Sequence, residues 1–233
     1  VDFSISSNLA SSSAIVVDGV APTVASVKST STNTTYGTGA SINVTVNFSE
    51  AVSLSSSGSM TVTLETGSTD RTVSITSINS ATSASGTYTV QAGDESSDLT
   101  VKSISVSGTI SDATDQAMVD FSIGSNLASS SAIVVDGVAP TVASVKSTST
   151  NTTYGTGASI NITVNFSESV TLSSSSSMTV YLNSATDRTV SITSISSDTS
   201  ASGTYTVVDG DASGDLSVDS IRVSSGASLN DAA

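Results

Sequence analysis

The side chains able to do chemistry in this chain are almost all carboxylates. Twenty Asp and Glu stand against six Lys and Arg, a formal net charge of −14, and there is no Cys, His or Trp among the 233 residues. Without Cys there is no disulfide, no thiolate nucleophile and no zinc site of the usual kind. Without His the commonest general base is missing, and with it any Ser-His-Asp triad. The acids recur in register: Asp18 with Asp136, Glu50 with Glu168, Asp70 with Asp187, Asp94 with Asp211, and Asp98 with Asp215. Calcium takes roughly six to eight oxygen ligands, which clustered carboxylates and carbonyls can supply. Asp18, Glu50, Asp136 and Glu168 are therefore the candidate metal ligands, with calcium as the expected cofactor at module junctions. Asp136 lies just before Pro140, and Glu168 follows the second strand of the next module, so the two are expected to converge. The competing reading makes these acids solvated turn residues or helix caps. Asp94 would cap one helical turn over residues 93–99. The run 209–215 has the acidic spacing of a calcium loop, but its first copy has Ala92 where the run begins with Asp209.

Asn43, Asn47, Asn161 and Asn165 head N-x-S/T sequons. Strand alternation points them outward, so they are candidate glycosylation sites. Chance sequons are common in so Ser/Thr-rich a chain. Lys28 and Lys146 match between copies. They are strand-end lysines or, if buried beside an acid, partners of an internal isopeptide bond. The negative field repels nucleic acid and anionic lipid, so neither is an expected partner. No apolar run approaches the roughly 20 residues of a membrane helix, so no membrane insertion is expected in this segment. No signal peptide is recognisable, and any targeting segment is expected to be removed or to lie outside these residues.

The elements that must position these groups come in two copies. Val1-Asp2-Phe3-Ser4-Ile5 returns as Val119-Asp120-Phe121-Ser122-Ile123, an offset of 118 residues. From Leu9 to Glu50 the second copy differs only at Val44, which becomes Ile162. Later the offset is 117, as in Asp70-Arg71-Thr72-Val73 against Asp187-Arg188-Thr189-Val190. Such self-similarity denotes an array of modules. Within a module, residues 42–48 alternate strictly, with Ile42, Val44, Val46 and Phe48 on one face. That period of two predicts a strand with one buried face. Further strands are expected over 23–28, 60–64, 73–78, 87–90 and 99–106, and over 118–135 with a break at 124–131. About seven short strands separated by Gly, Ser, Asn and Asp clusters predict an all-β fold of two tandem sandwiches.

The order of several short motifs resembles the bacterial immunoglobulin-like tandem repeats of large cell-surface and adhesin proteins. These are Ala21-Pro22-Thr23-Val24, Tyr36-Gly37-Thr38-Gly39, Phe48-Ser49-Glu50-Ala51-Val52, Tyr88-Thr89-Val90 with Gly93-Asp94, and Ala132-Ile133-Val134-Val135-Asp136. Nearly the whole chain is covered. Asp112-Ala113-Thr114-Asp115 departs from the Asp-Ala-Gly-Asn run frequent in that family. The resemblance implies immunoglobulin-like sandwiches, an extracellular location (cell surface or secreted matrix) and a spacer or adhesive role without catalysis.

In that frame residues 21–138 form module 1 and 139–233 form module 2, which lacks its own last strand. Residues 1–20 are then the closing strand and linker of a neighbouring module. Only Asp18 to Ala21 join this strand to Pro22, a reach of about 15 Å. It cannot readily turn back to module 2 of its own chain. The expectation is strand exchange: residues 1–17 complete the last module of the next chain, head to tail, with Phe3, Ile5, Ile15 and Val17 as inward anchors. The chain is then a non-enzymatic repeat unit of a surface filament or stalk whose partners are copies of itself. The alternatives are a covalent tandem-array adhesin segment and a module that binds host or cell-surface glycans or proteins.

Overall fold

A computed structural model describes residues 2–231. The fold is all-β and divides into two compact units, Val1–Asp136 and Gly137–Ala233. Each is described by itself.

In the first unit β1 (Val24–Lys28), β3 (Ser41–Leu54) and β6 (Ala81–Thr89) form one sheet, in the order β1-β3-β6. The facing sheet has the order β5-β4-β8, from β4 (Ser59–Glu65), β5 (Arg71–Ile75) and β8 (Thr100–Ser107). All of these pairings are antiparallel. The period-two pattern decides which residues enter the space between the sheets. Ile42, Val44, Val46 and Phe48 of β3 meet Met60, Val62 and Leu64 of β4 there, all buried. Burying each such side chain contributes about 1.5–3 kcal/mol. A third, small sheet places β10 (Val134–Asp136) between β2 (Thr35–Tyr36) and β7 (Glu95–Ser96). Its β10–β2 contact is parallel. The short β9 (Ile110–Ser111) pairs with the far end of β3.

The long strand β3 changes partner along its length. Residues 41–47 pair with β6, the register breaks between Asn47 and Val52, and Ser53-Leu54 pair with β9. Glu50 falls in that break. The expected helical turn over residues 93–99 is absent, because Glu95-Ser96 is held extended against Val135-Asp136 of β10. A sequence window could not see that pairing, since its partner lies about 40 residues away.

The second unit repeats the two main sheets. One has the order β11-β12-β15, from β11 (Val142–Lys146), β12 (Ser159–Leu172) and β15 (Asp198–Thr206). The other has the order β14-β13-β16, from β13 (Met178–Asn183), β14 (Arg188–Ile192) and β16 (Ser217–Val223). The short β17 (Leu229–Asn230) pairs with the end of β12 as β9 does with β3. The counterparts of β2 and β7, at 153–154 and 212–213, are not strands here. Both depend on β10 for their pairing in the first unit, and residues 137–231 supply no equivalent.

Candidate functional site

Residues 119–136 close the first sandwich. Leu127, Ile133 and Val135 are 0–1% exposed in its core, with Phe121 and Ile123 packed half-buried against it. The segment is also pinned by backbone. Gly124 N donates to Val24 O (3.1 Å), Ser125 N to Ala25 O (3.1 Å), and Val27 N to Ser125 O (2.9 Å). Leu99 N donates to Ile133 O at 2.7 Å, and Val134 N to Thr34 O at 3.1 Å. Asn126 locks the register with one side chain: its Oδ1 accepts from Val101 N and Leu127 N, while its Nδ2 donates to Val101 O. That amide satisfies both main-chain groups of Val101 at once, which is what a buried strand edge needs.

Residues 1–18 have the same sequence as 119–136 except for Ser6, which stands where the closing segment has Gly124. The large apolar side chains of residues 2–18 are nevertheless in the open. Phe3, Ile5, Ile15 and Val17 are 64–91% exposed, as are Leu9 and Val16 within the same range. The four expected anchors therefore occur as an exposed set. Their copies divide: those of Ile15 and Val17 are fully buried in the first unit, and those of Phe3 and Ile5 only half so. Leu9, whose copy Leu127 is fully buried, was missed as an anchor. It lies in a polar stretch, and nothing local shows that a short helical turn (Leu127–Ser129) would aim that leucine inward.

The second unit shows the reverse of this arm, a lining without a cover. Val142 is 45% exposed where its copy Val24 is 2% exposed. Val145, Ile160, Leu216 and Val218 are half-buried, although their copies Val27, Ile42, Leu99 and Val101 lie in the core of the first unit. Together with Tyr154 they border an open groove of about 650 Å³. The side chains are the same in both units. What differs is the presence of a closing segment.

One latch, repeated in the two units, ties each sandwich together. Tyr88 donates to Asp94 Oδ2 at 2.5 Å, Arg71 Nε to Asp94 Oδ1 at 2.7 Å, and Gln91 N to Asp94 Oδ2 at 2.9 Å. Asp211 receives the same set from Tyr205, Arg188 and Val208 N. Burial pushes the Asp94 carboxyl up, but the bonds from Tyr88, Gln91 and Arg71 outweigh it and hold it below the usual range. Tyr88 is pushed up, by burial first and then by its bond to Asp94. Asp94 is therefore the centre of a polar clasp and not a helix cap, and Asp211, one of the three acids of the 209–215 run, is engaged in the same way. Asp70 pairs with Lys102 at 2.9 Å. Lys28 is exposed, which removes the burial an isopeptide bond requires.

The sequon asparagines are half-buried on their strands. Asn43 Oδ1 accepts from Thr45 Oγ1, and Asn47 Nδ2 donates to Ser26 Oγ at 3.2 Å. Asn161 and Asn165 repeat these two contacts with Thr163 and Ser144. The amide nitrogens of Asn47 and Asn165 are thus engaged within their own sheets.

Among the metal candidates, Asp18 and Glu50 meet in the first unit, joined by Asp112, which the sequence reading did not select. Asp136 ends β10, opposite Glu95. Glu168 occupies the register break of β12, with a carboxylate oxygen within 4.8 Å of one from Asp231. No helix among the described residues is long and apolar enough to cross a membrane. No protein-family model matches this chain, and no curated protein matches it. The immunoglobulin-like repeat family thus remains a resemblance, and the fold established here is an all-β sandwich in two units.

Proposed function

We propose that this protein is a non-enzymatic structural repeat of an extracellular filament or stalk, assembled head to tail by strand exchange. Residues 2–18 of one copy fill the groove of the second unit of the next. One observation carries the reading: residues 119–136 bury Leu127, Ile133 and Val135 in closing the first unit, while the same sequence with one change, Ser6 for Gly124, leaves Leu9, Ile15 and Val17 exposed in the N-terminal arm. The occupant is a second copy of this chain because its arm matches, at every position but Ser6, the segment that fills the corresponding groove of the first unit.

The energetics set what the docking must include. Burying Leu9, Ile15 and Val17 contributes roughly 5–9 kcal/mol before costs. Association itself costs about 4–15 kcal/mol. The two ranges overlap, so burial of the apolar anchors does not by itself secure a stable complex. The surplus comes from backbone pairing of Val16-Val17 with 153–154 and 212–213, which become strands on docking, and from Asn8 clasping Val218 as Asn126 clasps Val101. The groove walls are mostly apolar and hydroxyl groups, with Lys146, Asn151, Asp211 and Asp215 among them, and Asp211 is already held by Tyr205 and Arg188. That supports a structural role over catalysis.

The test is the assembly state of the full chain and of a chain lacking residues 1–17, by light scattering across a concentration series. The full chain gains mass with concentration, the deletion stays monomeric, and added arm peptide caps the growth of the full chain. Equal mass for both chains would discard strand exchange between copies and leave the tandem-array reading.

A further inference from the structure

The two units offer the same apolar side chains to a closing segment, but the charge at one end of its path is reversed. In the first unit Lys102 occupies a bulge of β8, between Val101, which pairs with Leu64, and Ser103, which pairs with Thr63. Val101 is the residue that Asn126 clasps. Lys102 therefore stands beside the closing segment, and it borders one shallow surface depression together with Asp120 and Phe121 of that segment. Among the described residues around this depression, Lys102 and Asp120 are the only charged ones. The ammonium of Lys102 also lies 2.9 Å from Asp70 and 3.4 Å from Glu65. A cation thus stands where the segment brings in its first acid.

The second unit keeps the bulge and changes the residue. Asp219 lies between Val218, paired with Leu182, and Ser220, paired with Tyr181, and it is exposed. Of the two acids that Lys102 holds, Asp70 recurs as Asp187, and Asn183 stands in place of Glu65. The arm meanwhile keeps Asp2 at the place of Asp120. An arm seated as residues 119–136 are seated brings Asp2 towards Asp219, so attraction in the first unit becomes repulsion in the second. The other end changes in the opposite sense. Asp136 sits directly opposite Glu95 in the β10–β7 register. Like charges opposite one another across a strand pair are unfavourable. The second unit has Ala212 at the place of Glu95, so Asp18 of a docking arm meets no acid there.

We propose that Asp219 makes docking of the arm dependent on ionic strength, by opposing Asp2 until salt screens the pair, while the Val16–Asp18 end pairs unopposed. This rests on the strand-exchange reading and adds a control to it. The balance of charge along the groove agrees. Residues 208–219 carry four acids and no base, where residues 91–102 carry three acids and Lys102. The arm, residues 1–18, has two acidic and no basic side chains. Each exposed charge pair changes binding by up to about fivefold. The effect therefore tunes the joint without abolishing it: contacts between copies are weakest in dilute medium and tighten as salt rises.

The experiment measures fluorescence anisotropy of a labelled, N-terminally acetylated peptide of residues 2–18 against the chain lacking residues 1–17. That deletion removes nothing from either core. Sodium chloride is set at about 20 mM and about 500 mM, with a chelator present, which shortens the screening length from roughly 20 Å to roughly 4 Å. The natural pair binds several-fold tighter at high salt, and the full chain gains mass in light scattering over the same change. Asp219→Lys removes one repulsion and adds one attraction. It should tighten binding about 3- to 25-fold at low salt and reverse the salt dependence. An Asp2→Lys peptide should do the same against the unchanged groove. Combined with Asp219→Lys, it should restore the original salt dependence, a recovery that a merely structural effect of either change would not give. Binding of the natural pair that weakens with salt or ignores it would overturn the inference, as would additive effects of the two charge reversals. No binding at any salt would remove the groove reading itself, and this inference with it.

Discussion

Ser6→Gly offers the most direct measure of how the arm docks. It converts the arm into the sequence of residues 119–136, since the two differ nowhere else over 18 positions. In the first unit Gly124 runs beside β1, and a Cβ built on it would lie 2.6 Å from the Ala25 carbonyl oxygen. That atom is backbone and is itself bonded to Ser125 N, so it cannot simply move aside. Overpacking of this kind costs about 1–3 kcal/mol. The groove of the second unit has Ala143 at the place of Ala25. The natural arm, with Ser6, therefore docks below its full strength, and Ser6→Gly should tighten it about 5- to 150-fold. The assay is fluorescence anisotropy with two labelled peptides spanning residues 2–18, one with Ser6 and one with Gly, against the chain lacking residues 1–17. Equal affinities, or a tighter Ser6 peptide, would show that the arm does not adopt the geometry of the internal segment. No binding by either peptide would remove the groove as its site.

Further substitutions separate folding from assembly. Ile133→Ala opens a cavity in the first core and should destabilise that unit by about 2–5 kcal/mol in denaturant unfolding, whereas Ile15→Ala, at the same place in the repeat, should leave stability unchanged and weaken assembly. Tyr88→Phe removes a donor from the buried Asp94 and should cost about 1–3 kcal/mol, with Tyr205→Phe doing the same in the second unit. The acid limb of stability follows from the clasps. Asp94 and Asp211 have lowered carboxyl pKa values, so their contribution is fully present above the unfolded value near 4 and is lost as pH falls through the lowered one. Asp94→Asn should flatten that acid limb in a plot of melting temperature against pH. Glu50 carries the opposite sign: its raised pKa favours the fold below the ordinary carboxyl range, and that gain is lost as pH climbs through the raised value.

Much of this protein is written locally. Alternation over Ile42, Val44, Val46 and Phe48 dictated a strand and its buried face, because a pleated strand turns successive side chains to opposite sides. The duplication by 118 residues marks the arm as a copy of a closing segment from the sequence alone. Other features depend on contacts between residues far apart in the chain. The turn expected at residues 93–99 became β7 because β10 pairs with it. Leu9 escaped notice because its inward direction is fixed by packing and not by periodicity. Asp18, Glu50 and Asp112 are separated by dozens of residues, and only the register break of β3 and the pairing of β9 bring them together. Composition and period set which faces are apolar. The tertiary fold decided which carboxylates meet and which groove stands open, since strand pairing joins segments that carry no mark of one another.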